Sequence, residues 1–402
     1  MLRKFILLFC CFAFTEHLMA QRGIPPRKKT ATRHVTKYAQ HLDFLPPMVK
    51  LLKVPAGWEV KAAAAGLGKV RMMFPGPNGS VYVTRRDGAD VLLLKDTNGD
   101  HEFDEVVTVV YPFKTVHGIT GKDGYIYLCS NHELRRYKMQ SDGALTDMEV
   151  LINDLPNGGQ HPNRTIAFGP DGMLYISVGT LCNDCKEAEP ELASMLQVDP
   201  ATWKRTIYAT GLRNTIGFDF HPQTGELWGM DNGADGKGSR WPPEELNQIT
   251  KDGNYGYPLV YGNRVVDQSR EDPAGDTKEE FAKNTEPSVM NLPAHQAPIE
   301  FRFFGNVNNI PAGYSDDALV CWHGSWNRSK PHGFKVQRII YENGKPVGTE
   351  DFLTGFLKPG FLMFKRKARF GRPAGLAIMP DGVVYVSDDA NGVIYAVKQT
   401  GK

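Results

Sequence analysis

The residues best suited to chemistry recur at one point of a repeated unit. Arg71, His117, His161 with Arg164, Arg213 with Asn214, His295 with Gln296, and Arg372 each stand at the entry to a short apolar strand. Arg328, in His323-Gly-Ser-Trp-Asn-Arg328, follows a strand of the fifth unit and extends the set. Cations facing one another repel, and removing them from water is costly. One arginine at a strand start is more often a surface side chain paired with a carboxylate. The same position filled repeatedly calls for an anionic ligand, ideally one with several carboxylates, since guanidinium binds carboxylate through two parallel hydrogen bonds. His161 is the candidate general base, because a neutral imidazole can take a hydroxyl proton near working pH. Its neighbours Gln160, Asn163 and Arg164 favour that role over a structural histidine.

Two further stretches carry metal-ligand chemistry. Asp96-Thr-Asn98-Gly-Asp100-His-Glu102-Phe-Asp104 sets oxygen donors at alternating positions around a glycine turn, a pattern suited to Ca²⁺. It is shorter than a full twelve-residue calcium loop, and a solvated acidic hairpin reads equally well. Asp231-Asn-Gly233-Ala234-Asp235 offers backbone carbonyls at Gly233 and Ala234, and a Ca²⁺ held there can bridge to a bound anion. Cys182-Asn-Asp-Cys185 is a C-x-x-C pair that reads as a local disulfide tying a loop. Zinc would need a second pair, and Cys129 and Cys321 are isolated.

The elements that position these residues form a repeat. A turn with glycine, an apolar residue, an aromatic and another apolar residue recur as Asn78-Gly-Ser-Val-Tyr82, Asp123-Gly-Tyr-Ile-Tyr127, Asp171-Gly-Met-Leu-Tyr175, Thr224-Gly-Glu-Leu-Trp228 and Asp381-Gly-Val-Val-Tyr385. A weaker copy is Asp317-Ala-Leu-Val-Cys321. Each is a turn feeding a strand. A short apolar strand precedes it, a third strand follows, and an edge strand such as Glu105–Val110, 149–153 or 205–209 comes last. Four antiparallel strands per ~45 residues, six times over, predict an all-β, six-bladed β-propeller. The last unit stops after its third strand, near Lys398. The spare strand from Trp58 to Ala62 is expected to complete it and close the ring. Residues 259–295 look like a polar insertion before the fifth blade, and 357–371 like a basic loop.

Composition sets the bounds. Lys+Arg 47 against Asp+Glu 45 leaves no field able to hold nucleic acid without a local patch. The chain is 41% hydrophobic and 23% charged, which excludes disorder. At the N-terminus Arg3 and Lys4 precede a short apolar run from Phe5 to Phe14, and Met19-Ala20 offers a cleavage site, the layout of an export signal. The expected organisation is therefore signal peptide 1–20, basic loosely ordered leader 21–45 and propeller 46–402. No stretch is long and apolar enough to span a membrane.

Together these segments resemble the soluble PQQ (pyrroloquinoline quinone)-dependent sugar dehydrogenase family, most closely its L-sorbosone dehydrogenase-like branch. The likeness is carried in order by His161-Pro-Asn-Arg164, Gly179-Thr-Leu-Cys182-Asn-Asp-Cys185, Gly211-Leu-Arg213-Asn214, Pro243-Glu-Glu-Leu-Asn247, Asn254-Tyr-Gly-Tyr-Pro258, His323-Gly-Ser-Trp-Asn-Arg328, Gly371-Arg372-Pro373 and Ser387-Asp-Asp-Ala-Asn391-Gly392. The resemblance implies PQQ, with three carboxylates, in the channel mouth. It implies His161 as the base that takes the sugar hydroxyl proton while hydride passes to the quinone. It implies Arg213 and Asn214 beside the quinone, Arg372 as a carboxylate clamp, and Ca²⁺ on the Gly233 and Ala234 carbonyls. Gln160 stands where glucose-oxidising members carry Asp, which puts glucose itself in doubt. The family's clamping lysine has no clean counterpart, and Arg328 or Lys330 is the nearest substitute. A soluble acceptor or a c-type cytochrome would take the electrons, in the periplasm or outside the cell. The alternative is a non-redox propeller that binds a glycan or other anionic ligand. A Ca²⁺-dependent lactonase would need carboxylates where this chain has cations. The secreted protein is expected to begin near Gln21 when its N-terminus is sequenced; a chain retaining Met1 would overturn the export signal.

Overall fold

A computed structural model describes residues 38–358 and 367–400. The turn chemistry acts as the sequence requires: Asp123 and Gly124 both adopt left-handed backbone (φ 51° and 79°), the geometry that joins Gly118–Lys122 to Tyr125–Cys129 through a two-residue hairpin. Repeated, such hairpins build six four-stranded antiparallel sheets among the described residues. The first holds Met73–Pro75, Val81–Arg85, Asp90–Lys95 and Glu105–Val110. The second holds Gly118–Lys122, Tyr125–Cys129, Leu134–Met139 and Leu145–Ile152. The third holds Ile166–Phe168, Leu174–Val178, Ser194–Val198 and Arg205–Thr210. The fourth holds Thr215–Phe220, Leu227–Asp231, Glu244–Ile249 and Met290–Leu292. The fifth holds Pro298–Phe303, Ala318–Trp322, Lys335–Glu342 and Lys345–Leu353. The sixth takes Pro373–Ile378, Val384–Asp388 and Val393–Gln399 from the C-terminal part and Trp58–Ala64 from the N-terminal part, as expected.

Each second strand is flanked by neighbouring sheets on both faces, so it reads as a continuous apolar run rather than an alternation. Leu174–Val178 and Ala318–Trp322 are buried at every position. Outer strands face water, as the exposed Glu105 to Thr108 shows. First strands of successive sheets pack together: Met73–Pro75 on Gly118–Lys122, that strand on Ile166–Phe168, Thr215–Phe220 on Pro298–Phe303, and Pro373–Ile378 on both Pro298–Phe303 and Met73–Pro75. The approach is so close at Gly217 and Gly375 that a Cβ would strike the Phe301 amide and the Arg71 carbonyl respectively. The arrangement is propeller-like, and no sheet closes on itself as a barrel.

Three expectations need adjustment. The outer strand of the second sheet starts at Leu145 rather than 149, because Asp142-Gly143 makes a tight turn that lets pairing begin at Met139. The excursion at 259–295 lies within the fourth sheet, since Met290–Leu292 returns to pair with Glu244–Leu246. It carries a small hairpin (Val260–Tyr261, Val265–Val266) and a helix, Lys278–Lys283, capped by Thr277. Part of the presumed leader is ordered: Gln40–His41 pairs in parallel with Ala368–Arg369. The export signal and the basic residues Lys365 and Arg366 lie outside the described residues.

Trp58 anchors the completing strand. It is 6% exposed, stacked on Tyr314 at 6.0 Å and edge-on to Phe352 at 5.0 Å. Trp58→Ala is expected to cost about 3–5 kcal/mol in urea unfolding, the range for emptying a buried aromatic site. A loss below ~1 kcal/mol would mean this strand does not hold the sixth sheet.

Candidate active site

The fourth sheet supplies the first group. Arg213 and Asn214 precede Thr215–Phe220, whose first residue lies opposite Asp231. The Asp231 carboxylate accepts from the Arg213 amide (3.0 Å), the Asn214 amide (2.8 Å) and the Thr215 hydroxyl (2.8 Å). Burial nevertheless pushes its pKa up to about 6. With its backbone held, Arg213 extends a guanidinium that is almost wholly buried. Nε donates to the Asn183 carbonyl (2.8 Å), Nη1 to the Asn232 carbonyl (3.0 Å), and Nη2 to Asn183 Oδ1 (2.9 Å) and His161 Nε2 (3.3 Å). Its nearest carboxylate, Asp235, is 4.0 Å away.

His161 is half-buried. Its Nδ1 lies 2.9 Å from the Thr180 carbonyl, which can only accept, so the ring proton sits on Nδ1 and Nε2 carries the lone pair. Burial and the Arg213 charge lower its pKa to about 4. The imidazole is thus neutral across ordinary pH, and its Nε2 lone pair accepts from Arg213 Nη2.

The second group comes from the sixth and first sheets. Arg71 Nη1 donates to Asp389 (2.6 Å), and His323 Nε2 lies 2.7 Å from the same carboxylate. Burial alone would raise the Asp389 pKa, but His323, Arg71 and Arg372 hold it far below the usual carboxylate range. Arg372 donates through Nε to the His323 carbonyl and through Nη2 to the Gly324 carbonyl, both at 2.9 Å. Burial lowers its pKa to about 10. Asp388 repeats the part of Asp231, accepting from the Arg372 amide at 2.8 Å. These residues border a cavity of ≈ 440 Å³. Five cations (Lys69, Arg71, Arg86, Arg369, Arg372) line it against two carboxylates, Asp87 and Asp389. Neither the Arg369 nor the Arg372 guanidinium pairs with a carboxylate among the described residues. Arg86, on the cavity wall, reaches Asn163 at 3.4 Å, next to the His161 loop.

The remaining expected residues divide. His117 and Arg164 are fully buried and do not line a mouth. Arg164 spends its guanidinium on the carbonyls of Pro156, His161 and Asn163, so it fixes the loop that carries His161. Its main-chain carbonyl faces His117 Nδ1 at 3.4 Å. His295 is likewise structural, with Nε2 against the Gly238 and Trp241 carbonyls. Gln160 is exposed and makes only a backbone bond to Leu181. Arg328 donates to the Ala294 carbonyl and keeps a buried Nε without a partner.

In the acidic hairpin the backbone amides take the oxygens. Asp96 accepts from Asn98, Gly99 and His101, Asn98 from Asp100, and Asp100 from Glu102. No cluster of three or more acidic, histidine or cysteine side chains suited to a metal occurs among the described residues. Gly233 and Ala234 present carbonyls that accept no hydrogen bond among the described residues. The Gly233 amide donates to the buried Glu244 (3.0 Å), whose pKa burial raises to about 7.

Cys182 and Cys185 form a disulfide, and Cys129 and Cys321 are free and buried. Sequence reasoning missed Asn183 and Asp389 as members of the site. Both were within motifs it had singled out, between the two cysteines and in Ser387-Asp-Asp-Ala-Asn391.

A family model described as TrAA12-like matches residues 52–400. An uncharacterized protein of Borreliella burgdorferi is 34% identical over 364 residues, covering 86% of this chain and 90% of that protein. The pyrroloquinoline quinone-dependent sugar dehydrogenase of Hypocrea jecorina is 23% identical, covering 86% of this chain and 88% of that protein. Among solved structures, the holo form of the pyranose dehydrogenase PQQ domain from Coprinopsis cinerea aligns with TM-score 0.72 at 21% identity, over 87% of this chain and 97% of that one. At that identity the likeness establishes the fold.

Asp389 ionises more readily folded than unfolded. It therefore stabilises the protein above the unfolded carboxylate range near ~4, and that contribution fades as pH falls below it. Asp389→Asn is expected to cost about 3–5 kcal/mol at neutral pH, the usual loss when one partner of a buried pair is removed. Denaturation series should show the gap to wild type narrowing below pH ~4. A gap that stays constant through that range would contradict the assignment.

Proposed function

This chain belongs to the TrAA12-like family, and from that premise we propose that it is a PQQ- and calcium-dependent dehydrogenase of sugars, polyols or sugar aldehydes. The supporting observation is the cavity in which five cations face two carboxylates, linked through Arg86 and Asn163 to the loop of an imidazole held as its Nδ1–H tautomer, with Nε2 accepting from Arg213. The six sheets are read as six blades, with Trp58–Ala64 joining the ends of the ring. The organisation retains a signal peptide cleaved near Ala20, a short leader and the propeller, and hence a periplasmic or secreted enzyme. The sorbosone-like branch remains the nearest family reading from the motifs.

The residues fit the cofactor on charge. A tricarboxylate suits a site where Arg372 and Arg369 lack carboxylate partners, and the buried Arg71 Nε is still without an acceptor. Arg71, Arg372, Arg213 and Asn214 would hold it. Arg328 would add a further cation, and Arg164, with His117 against its carbonyl, supports the His161 loop. For calcium the donor type fits at Gly233 and Ala234, with two open carbonyls. Asp96, Asn98 and Asp100 give their oxygens to the hairpin's own amides, so the second calcium loop is not part of this reading. PQQ, when bound, supplies the two-electron acceptor.

The chain's own part in the reaction follows from geometry. Thr180 fixes the His161 tautomer, so the proton of a substrate hydroxyl arrives at Nε2. In this structure Arg213 Nη2 occupies that nitrogen as donor and lowers its basicity, so it must yield the lone pair for the substrate proton. An anion seated on Arg213 offsets the charge that depresses His161, which makes the imidazole a stronger base once the site is loaded. Gln160, exposed beside the histidine, leaves it without a carboxylate orienter, which separates this site from glucose specialists. A purely glycan-binding propeller would need no such prepared lone pair. A soluble acceptor or c-type cytochrome would reoxidise the enzyme.

The test is an absorbance titration of signal-free protein with PQQ, with and without Ca²⁺, followed by a sugar panel. Saturable, Ca²⁺-dependent binding whose spectrum bleaches with a sugar is expected. His161→Ala should keep the binding and lose turnover by about 10²–10⁴-fold. No binding at micromolar PQQ would remove the cofactor from this reading, and full turnover in His161→Ala would remove the base.

A further inference from the structure

We propose that Asn183, fixed in its loop by the Cys182–Cys185 disulfide, is a positioning residue that sets the Arg213 guanidinium against His161 and ties that pair to the 233–235 turn. The proposal rests on the reading of His161 as proton acceptor and extends it to a residue outside the cavity.

Three polar atoms of Asn183 are committed. Its carbonyl accepts from Arg213 Nε (2.8 Å), and Oδ1 accepts from Arg213 Nη2 (2.9 Å) and from the Asp235 amide (2.8 Å). Nδ2 donates to the Asp235 carbonyl (3.1 Å). One residue therefore grips the guanidinium at two nitrogens and the turn at two backbone groups. The side-chain amide suits this because it both accepts and donates. A carboxylate would set an oxygen against the Asp235 carbonyl and cancel the Arg213 charge.

The loop itself forms no strand between Val178 and Ser194, so the angle must be imposed from outside. The disulfide brackets Asn183 on both sides and limits the conformations of the intervening residues. Beyond it, the Cys185 amide donates to the Tyr257 hydroxyl (3.0 Å), and Asp184 pairs with Lys237 (2.6 Å) and Arg270. Three restraints thus meet within four residues.

The consequence concerns charge. His161 faces Arg213 from the fourth sheet and Arg164 from its own loop, with Asp235 beyond Arg213 and the neutral Thr180 carbonyl on Nδ1. Without Asn183 Oδ1, Arg213 Nη2 is drawn toward the Asp235 carboxylate, 4.0 Å away, and releases His161.

The deciding measurement is imidazole ¹⁵N NMR of the full signal-free chain without added cofactor, titrated with acid, the His161 resonance being assigned by its loss in His161→Gln. Wild type should keep the Nδ1–H tautomer and protonate only near pH about 4. Asn183→Ala should protonate about one pH unit higher or more, as the cation withdraws. Cys182→Ser/Cys185→Ser, or reduction of wild type, should move the midpoint the same way by a smaller amount. If the alanine variant does not fold, Asn183→Ser serves, since it too removes the amide oxygen that holds Nη2 and should raise the midpoint in the same way. In the PQQ-loaded enzyme, Asn183→Ala should lower kcat by about 10- to 100-fold with KM changed less than about threefold. A lower melting temperature with an unmoved His161 titration would overturn the proposal, because a merely structural role predicts that. An unmoved titration in the double serine variant would overturn the part of the disulfide. If wild type binds no PQQ, the dehydrogenase reading fails while the NMR titration still decides the role of Asn183.

Discussion

The site depends on one recurrent contact, a side chain at the end of a second strand that holds the backbone entering the first strand. Asp231 grips the amides of Arg213 and Asn214, and Asp388 grips that of Arg372. Ser177 and Ser387 make smaller versions of the bond, to the amides of Thr165 and Gly375. Each contact fixes where a strand begins, so the residue just before it leaves the sheet at a set angle. Burial raises both aspartates to about 6, a free-energy cost borne for position. The glycines at which neighbouring first strands meet complete the device. They let the first strands of neighbouring sheets approach closely, backbone against backbone.

Electrostatics then divides the entries into two kinds. Some cations are spent inside the protein: Arg164 on three carbonyls, Arg213 on two carbonyls, an amide and an imidazole. Others stay in excess at the cavity, where Asp389 neutralises Arg71 and holds His323 but leaves Arg372 and Arg369 to something else. The cations spent on protein acceptors shape the loops around His161, and the surplus ones are left at the cavity wall. The distinction cannot be made from residue type.

Much of the architecture was legible from the sequence because the turn-aromatic phrase repeats and each copy implies its neighbouring strands. The N-terminal strand was legible because the last unit lacked one. Boundaries failed where tertiary pairing extended a strand, as at Leu145, or where an excursion hid an edge strand, as at Met290–Leu292. Among the candidate residues, His161, Arg213, Asn214, Arg71 and Arg372 were singled out from their place in the repeat, and the structure sets them in two groups, one around Arg213 and one around Asp389. His117 and Arg164 occupy the same place but turn inward, a rotamer choice that periodicity does not encode. Asn183 and Asp389 were invisible as site members because their partners lie in other sheets. Asn183 acts on a residue 30 positions away, and Asp389 on one 318 positions away.

The surplus of positive charge in the cavity also bears on how the protein behaves in a test tube. Lys69 and Arg86 pair with Asp87 and Arg71 pairs with Asp389, which leaves Arg369 and Arg372 as charge that a bound multivalent anion would offset. Citrate, phosphate and sulfate carry the charge that such a site would take. An anion seated on those two guanidiniums would raise the melting temperature and, by the same contacts, compete with weak ligands. The ionic recipe chosen for purification thus sets both how robust the protein looks and what it can be seen to bind.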